Sequence, residues 1–320
     1  MRHRLSLLAV VLPLAGVLAA CSSESESGPN PYLDLVGTSR YLSSNRILTT
    51  PGDTLTTRLY AEAADSLNSP LRRLRITVTY EPSKNPIIYP ANLFNYDPGS
   101  ARNDPEFVYL DSMLTTRRAQ QALAFQFTFG ARTTTGREVW KFEAEDQQQR
   151  VASRSYRLTL RNADSALVYH RYSVRLQAPG TAASRSFLAL LPGLTLPGFT
   201  MRNNPAAQQL VDVVYLPTAA GAPSLSTPAD TRLKLPATWT RRATQLRLLS
   251  DTASFAATTT SQGFEDVFSR AQAPVTSTGA LRRNQVVAFR TADQKYGLIL
   301  VQEIKTTPTP TLNLQVRIAK

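Results

Sequence analysis

The amino-acid sequence predicts a mainly β protein. A β-sandwich is expected over residues 32–162, followed by a second β-rich α+β body over residues 163–320 that ends in an antiparallel meander. Three observations predict this. Short segments along the whole chain alternate apolar and polar residues, the period of half-buried strands. Helical spacing is confined to two stretches of the second body, Trp239–Leu249 and Ser261–Arg270. The chain has 320 residues and a hydrophobic content of 42 %, enough to fill the cores of two ordinary domains.

Residues 1–20 read as a signal peptide. Arg2, His3 and Arg4 form a positive start, and Leu5–Ala20 is an apolar run broken by Pro13 and Gly16. That run is too short and too interrupted for a membrane span of ~20 residues. It closes on Leu18-Ala19-Ala20-Cys21, which resembles the lipobox of bacterial lipoproteins. The resemblance implies that Cys21 is acylated and becomes the mature N-terminus, so that acyl chains hold the protein to a membrane. Cys21 is the only cysteine and has no disulfide partner within the chain. Ser22 in place of Asp implies, by the same resemblance, transfer to the outer membrane. Glu24 and Glu26 resemble the acidic export tag of surface lipoproteins. Residues 21–31 then read as a solvated tether of Ser, Glu, Gly and Pro.

The first body starts with Tyr32–Val36. Pro51-Gly52-Asp53-Thr54 signals a turn. In Thr54–Ala63, Leu55, Thr57, Leu59 and Ala61 share one face. Leu74, Ile76, Val78 and Tyr80 do the same in Leu74–Tyr80, as do Leu123, Phe125, Phe127 and Phe129 in Ala122–Phe129. Arg137–Glu145 and Arg154–Arg161 complete six or seven strands, which suggests a sandwich. The order of turn, two strands, long connection and three further strands resembles an immunoglobulin-like domain of bacterial surface proteins. The connection Glu81–Glu106 is long and proline-rich, the kind of loop that carries function or motion. Its Asn95–Glu106 cluster of amides and acids lacks EF-hand spacing and reads as polar turns.

In the second body, Val168–Leu176 alternates as a strand. Ser186–Leu191 is apolar, and Gln209–Leu216 is a dense β run. Gln285–Arg290, Lys295–Ile304 and Thr311–Ile318 read as the closing meander. Asp212–Tyr215, Ser226-Thr227-Pro228, Trp239, Phe264, Phe268, Ala288–Thr291, Lys295–Ile299 and Val301 together resemble the C-terminal module of uncharacterised surface lipoproteins. That resemblance implies an extracytoplasmic α+β module and carries over no functional residue.

Chemistry is sparse in this sequence. Past residue 20 there is one histidine, His170, and one cysteine. These exclude His-rich or Cys-based metal centres and leave little room for a Ser–His–Asp triad. No phosphate-cradling glycine motif and no nucleophile elbow occur. His170 sits within a strand pattern and reads as a packed residue. The formal charge of +13 comes from scattered arginines, without the basic run or aromatic platform of a nucleic-acid binder. No cofactor is expected. Glu138, Glu143, Glu145, Asp146, Glu265 and Asp266 are the carboxylates from which a hydrolytic pair could be drawn. Tyr89, Phe94, Tyr96, Phe107 and Tyr109 cluster in and after the long connection and form the candidate ligand-binding loop.

The expectation is therefore a non-enzymatic, lipid-anchored outer-membrane or cell-surface protein with a binding or structural role. Its partners would be the membrane and a glycan or surface protein. Two alternatives stand beside it: a glycan-binding lipoprotein of an outer-membrane uptake system, and a carboxylate-dependent glycoside hydrolase.

Overall fold

The computed structural model describes residues 28–82, 106–164 and 166–320. Cys21, Tyr89, Phe94 and Tyr96 lie outside them. In the first body the elements are β1 (Tyr32–Leu35), β2 (Arg46–Leu48), β3 (Thr54–Glu62), β4 (Leu71–Pro82), β5 (Phe107–Met113), α1 (Arg117–Gln121), β6 (Ala122–Gly130), β7 (Gly136–Asp146) and β8 (Val151–Leu160). They form two sheets, ordered β1-β3-β6 and β2-β8-β7-β4-β5. All pairings are antiparallel except β2 with β8, which is parallel.

The alternation read from β3 is the alternation buried: Leu55, Thr57, Leu59 and Ala61 point inward. Their partners across the sandwich are aromatic. Phe129 packs on Trp140 with ring centroids 4.1 Å apart, and Phe142 packs on Tyr156 at 5.4 Å. The Tyr156 hydroxyl reaches across the two sheets to the Thr57 hydroxyl at 2.8 Å. The turn before β3 depends on Gly52, whose φ is +84° and whose added Cβ would lie 2.1 Å from the Ser173 carbonyl oxygen.

The second body contains β9 (Tyr169–Gln177), β10 (Arg185–Ala189), β11 (Leu194–Pro197), α2 (Gly198–Met201), α3 (Pro205–Gln208), β12 (Val213–Tyr215), β13 (Leu225–Ser226), β14 (Gln245–Leu248), α4 (Ala253–Ala257), α5 (Ser261–Arg270), β15 (Val286–Arg290), β16 (Tyr296–Lys305) and β17 (Thr311–Ala319). Its two sheets run β11-β10-β12-β13 and β14-β15-β16-β17-β9. The expected meander is β15-β16-β17. β9 closes on it, pairing with β17 from Tyr169↔Ala319 to Gln177↔Thr311.

One face of the five-stranded sheet, with Val287, Phe289, Ile299 and Leu314, packs on Leu188, Val213 and Leu225 of the smaller sheet. The other face, with Val286, Ala288 and Leu298, packs on α5 through Phe264, Val267 and Phe268. The Thr260 hydroxyl caps α5 by accepting from the Gly263 amide at 3.0 Å.

Two expectations in this body need correction. Trp239–Leu249 is not a helix. β14 occupies its C-terminal half and pairs Leu246 with Phe289, while Trp239 stacks on Phe187 at 5.9 Å. Pro236 precedes the stretch, and Thr238, Thr240 and Thr244 are β-branched, so the apolar spacing rests on residues that favour extended backbone. Within Gln209–Leu216, only Val213–Tyr215 is strand.

The two bodies share one core. Leu194, Leu196, Met201, Ala207 and Trp239 belong to the same cluster as the sandwich interior. The short helices also cover the free edge of β5: Thr200 Oγ1 donates to the Tyr109 carbonyl at 2.7 Å, and Asn204 Nδ2 donates to the Val108 carbonyl at 2.7 Å. His170 pins the connection between the bodies. Its Nε2 lies 2.8 Å from Thr133 Oγ1, and its Nδ1 hydrogen-bonds the Asp164 carboxylate. It is a buried structural residue.

Candidate functional site

Three residues singled out from the sequence converge on one cavity: Phe107 and Tyr109 from the aromatic cluster, and Glu138 from the carboxylates. Period 2 places Glu138 there. On β7 the inward set is Glu138, Trp140, Phe142, Ala144 and Asp146, so the same alternation that buries the tryptophan buries the acid. Tyr109 arrives by a different device. Ile76 pairs with Leu110 and Thr77 with Val108, so the register skips Tyr109, and this bulge turns its ring into the interior. There it meets Phe127, Trp140 and Phe199 at centroid distances of 5.5, 5.0 and 5.6 Å. Tyr109 is therefore a core residue, 3 % exposed, and cannot serve as an open sugar platform. Phe107 is half-buried beside it.

The second body supplies the opposite wall through Leu194, Thr195 and Leu196 of β11. Gly130 permits that approach, since a Cβ there would lie 2.5 Å from Thr195 Oγ1. The enclosed space is about 30 Å³, room for about one water molecule.

Its electrostatics are those of a solitary acid. Burial raises the Glu138 carboxyl above the ordinary carboxylate range. Arg132 pulls in the opposite direction from 3.5 Å, and Trp140 Nε1 donates to Glu138 at 3.1 Å. The Arg132 guanidinium in turn lies over the Tyr80 ring, 3.9 Å from its centroid. The buried hydroxyls of Tyr109 and Thr195 have no hydrogen-bond partner among the described residues. Burial drives the Tyr109 phenol far above its usual range.

Among the described residues no second carboxylate lines the cavity. Two-carboxylate glycoside hydrolysis needs a partner across the reacting bond, about 5–10 Å away. The other candidates are engaged elsewhere. Glu143 pairs with Lys141 at 2.5 Å, and Glu145 lies 3.7 Å from Arg73, on the polar face of the five-stranded sheet. Asp146 accepts from the Gln148 and Arg150 amides and from Arg150 Nε, closing the β7–β8 turn. Glu265 and Asp266 stand on the exposed face of α5. Among the described residues no group of three His, Cys, Asp or Glu side chains could hold a metal ion. The cavity can hold a small polar species on a protonatable acid and two hydroxyls. Its convergence was not visible in the sequence, because Thr195 and Arg132 reach it through tertiary packing.

No protein-family model matches the chain, and no curated protein matches it. Among solved structures, a DUF4466 family protein from Parabacteroides merdae is similar over 91 % of this chain and 99 % of that one, with 11 % identity and a TM-score of 0.39. The sporulation control protein Spo0M from Bacillus subtilis is similar over 65 % of this chain and 82 % of that one, with 13 % identity and a TM-score of 0.25.

Proposed function

We propose that this chain is a lipid-anchored protein of the outer membrane or cell surface that binds or supports rather than catalyses. The observation that carries the reading is Leu18-Ala19-Ala20-Cys21, placed after a charged start and an apolar run and before a polar tether. One acyl chain binds a bilayer only marginally, at ~0.8 kcal/mol per buried methylene, so stable anchoring asks for more than one chain on Cys21. The body supports the non-catalytic part of the reading. Glu138 faces no second carboxylate among the described residues, and His170 is committed to Thr133 and Asp164. Neither alternative gains a specific observation, since Tyr109 lies in the core rather than on an open glycan-stacking surface.

Metabolic labelling with a clickable fatty acid tests the anchor. The wild-type chain is expected to carry label and to fractionate with outer membranes. Cys21→Ala is expected to lose both. Label retained on Cys21→Ala would end the proposal.

A further inference from the structure

Between the two bodies runs an open groove of about 520 Å³. One wall is Gln126–Thr128 of β6. The other is the turn between β9 and β10, and Pro308–Pro310 close the end. Among the described residues no acidic one lines it. Arg185, only 4 % exposed, lies in its lining.

The charge of Arg185 is the anomaly. Its Nη1 reaches the Thr54 hydroxyl at 3.3 Å, and its backbone amide donates to Gln177 Oε1 at 3.1 Å. No carboxylate among the described residues pairs with it. The other buried charges have opposites: Asp146 has Arg150, Asp212 has Arg242, Glu138 has Arg132, and Asp164 has His170 and Lys320. Burial pulls the Arg185 guanidinium below its ordinary range; Tyr109 opposes that pull, and the positive charge of Arg175 adds to it. A guanidinium stays charged in a protein, so enclosing one without a counter-charge is costly. Of the neighbouring arginines, Arg58 is held on the groove residue Gln126 and Arg175 on Asn313. Glu303, the acid that accepts from Asn313, also lies 3.5 Å from Lys305.

The second feature is the wall. Among the described residues β6 is the end strand of its sheet, paired with β3 alone; three consecutive residues of β6, and none of β3, line the groove. The strand therefore turns its unpaired backbone edge toward a cleft that holds a buried cation, the arrangement by which strand edges capture extended chains.

We propose that this groove binds the C-terminal carboxylate of an extended peptide, with the carboxylate on Arg185 and the peptide backbone along β6. Guanidinium and carboxylate match as a two-pronged pair. A monosaccharide acid would satisfy the charge but would leave the strand edge unused.

The test uses the full chain and two pools of mixed-sequence tetrapeptides, one with free C-termini and one amidated, with galacturonate as a third probe. Calorimetry is expected to show binding of the free-acid pool and binding of the amidated pool at least about thirtyfold weaker. Arg185→Met is expected to fold with an equal or higher melting temperature and to bind the acid pool no better than the amide. Equal binding of the two pools, no binding of the acid pool, or galacturonate binding as tightly as the acid pool would each overturn the assignment. The comparison of acid with amide on the unaltered chain decides the matter even where Arg185→Met fails to fold.

Discussion

The sandwich and the terminal meander are both β layers, yet their interiors are built from different material. The meander core is mostly aliphatic: Ile299, Val301, Leu312, Leu314, Val316 and Ile318 are all fully buried, and the rings of Tyr172, Tyr215 and Phe289 stand apart among them. The sandwich core adds to its leucines a contiguous cluster of rings, Tyr109, Phe127, Phe129, Trp140, Phe142 and Tyr156, linked by ring-to-ring contacts. Branched aliphatics interdigitate to crystal-like density. Flat rings leave corners, and in this molecule the corners hold polar atoms: Glu138, Arg132 and the hydroxyls of Tyr109 and Thr195. The site-bearing region is thus the one whose packing material cannot fill space on its own.

The strongest way to break this contrast is to truncate the aliphatic core. Leu314 is fully buried on β17, the strand held on both sides by β16 and β9. Leu314→Ala is expected to cost about 3–5 kcal/mol, because the surrounding ladder cannot collapse onto the lost atoms. Denaturant unfolding measures it. A cost below about 1.5 kcal/mol would mean that the meander core relaxes like a loosely packed one.

The meander was also the most legible part of the chain. Val286–Phe289 and Leu298–Val301 are continuous apolar runs, as strands covered on both faces require, and their partners are neighbours in sequence. β3, β4 and β9 were legible from alternation alone, since β6, β7 and β17, with which they pair, lie far off in sequence. What escaped were features made by contacts distant in sequence. The Tyr109 bulge depends on the register of β4, and the burial of Arg185 depends on Thr54 and Gly130 of the first body coming against its side chain. The sequence 239–249 misled because Trp239, Ala243, Leu246 and Leu249 match a helical stripe. In the fold Trp239 serves Phe187, and Leu246 serves Phe289. Glu138 was readable in principle, since it shares the parity of Trp140 on one strand. A charge on an inward position is the signal that pattern reading discounts.

The aromatic side of the comparison is sharpened by pH. A carboxyl raised by burial binds its proton more tightly folded than unfolded. Its stabilising effect is therefore complete below the ordinary carboxylate range and is lost as pH climbs through the raised value. For Glu138 this means stability falling as pH rises above the usual glutamate range. Asp212, also raised by burial, acts in the same direction. His170, lowered by burial against the pull of Asp164, acts in the opposite one: its contribution is present above the ordinary histidine range and is lost as pH falls through it. Glu138→Gln keeps the shape and removes one titration. The variant is expected to lose stability less steeply than wild type as pH rises from about 5 to about 8, followed by thermal unfolding across that range. Parallel curves for the two proteins would show that Glu138 titrates alike in the folded and unfolded chain.

The smallest effect separates two tyrosines of the same core. Tyr156 and Tyr109 are both buried, but the Tyr156 hydroxyl is bonded to Thr57 at 2.8 Å while the Tyr109 hydroxyl has no partner among the described residues. Removing a satisfied hydroxyl costs its net hydrogen bond and leaves the partner unmet, about 0.5–1.5 kcal/mol. Removing an unsatisfied one relieves a desolvated polar atom, so Tyr109→Phe is expected to be neutral or stabilising by up to about 1 kcal/mol. The difference between the two Tyr→Phe variants, read from denaturant midpoints on one chain, isolates the polar atom because ring and packing are common to both. Equal destabilisation would mean that the Tyr109 hydroxyl is satisfied, most simply by a water in the cavity it shares with Thr195. A stabilised Tyr109→Phe would mark that hydroxyl as a group retained against stability, the signature of a position held for binding rather than for folding.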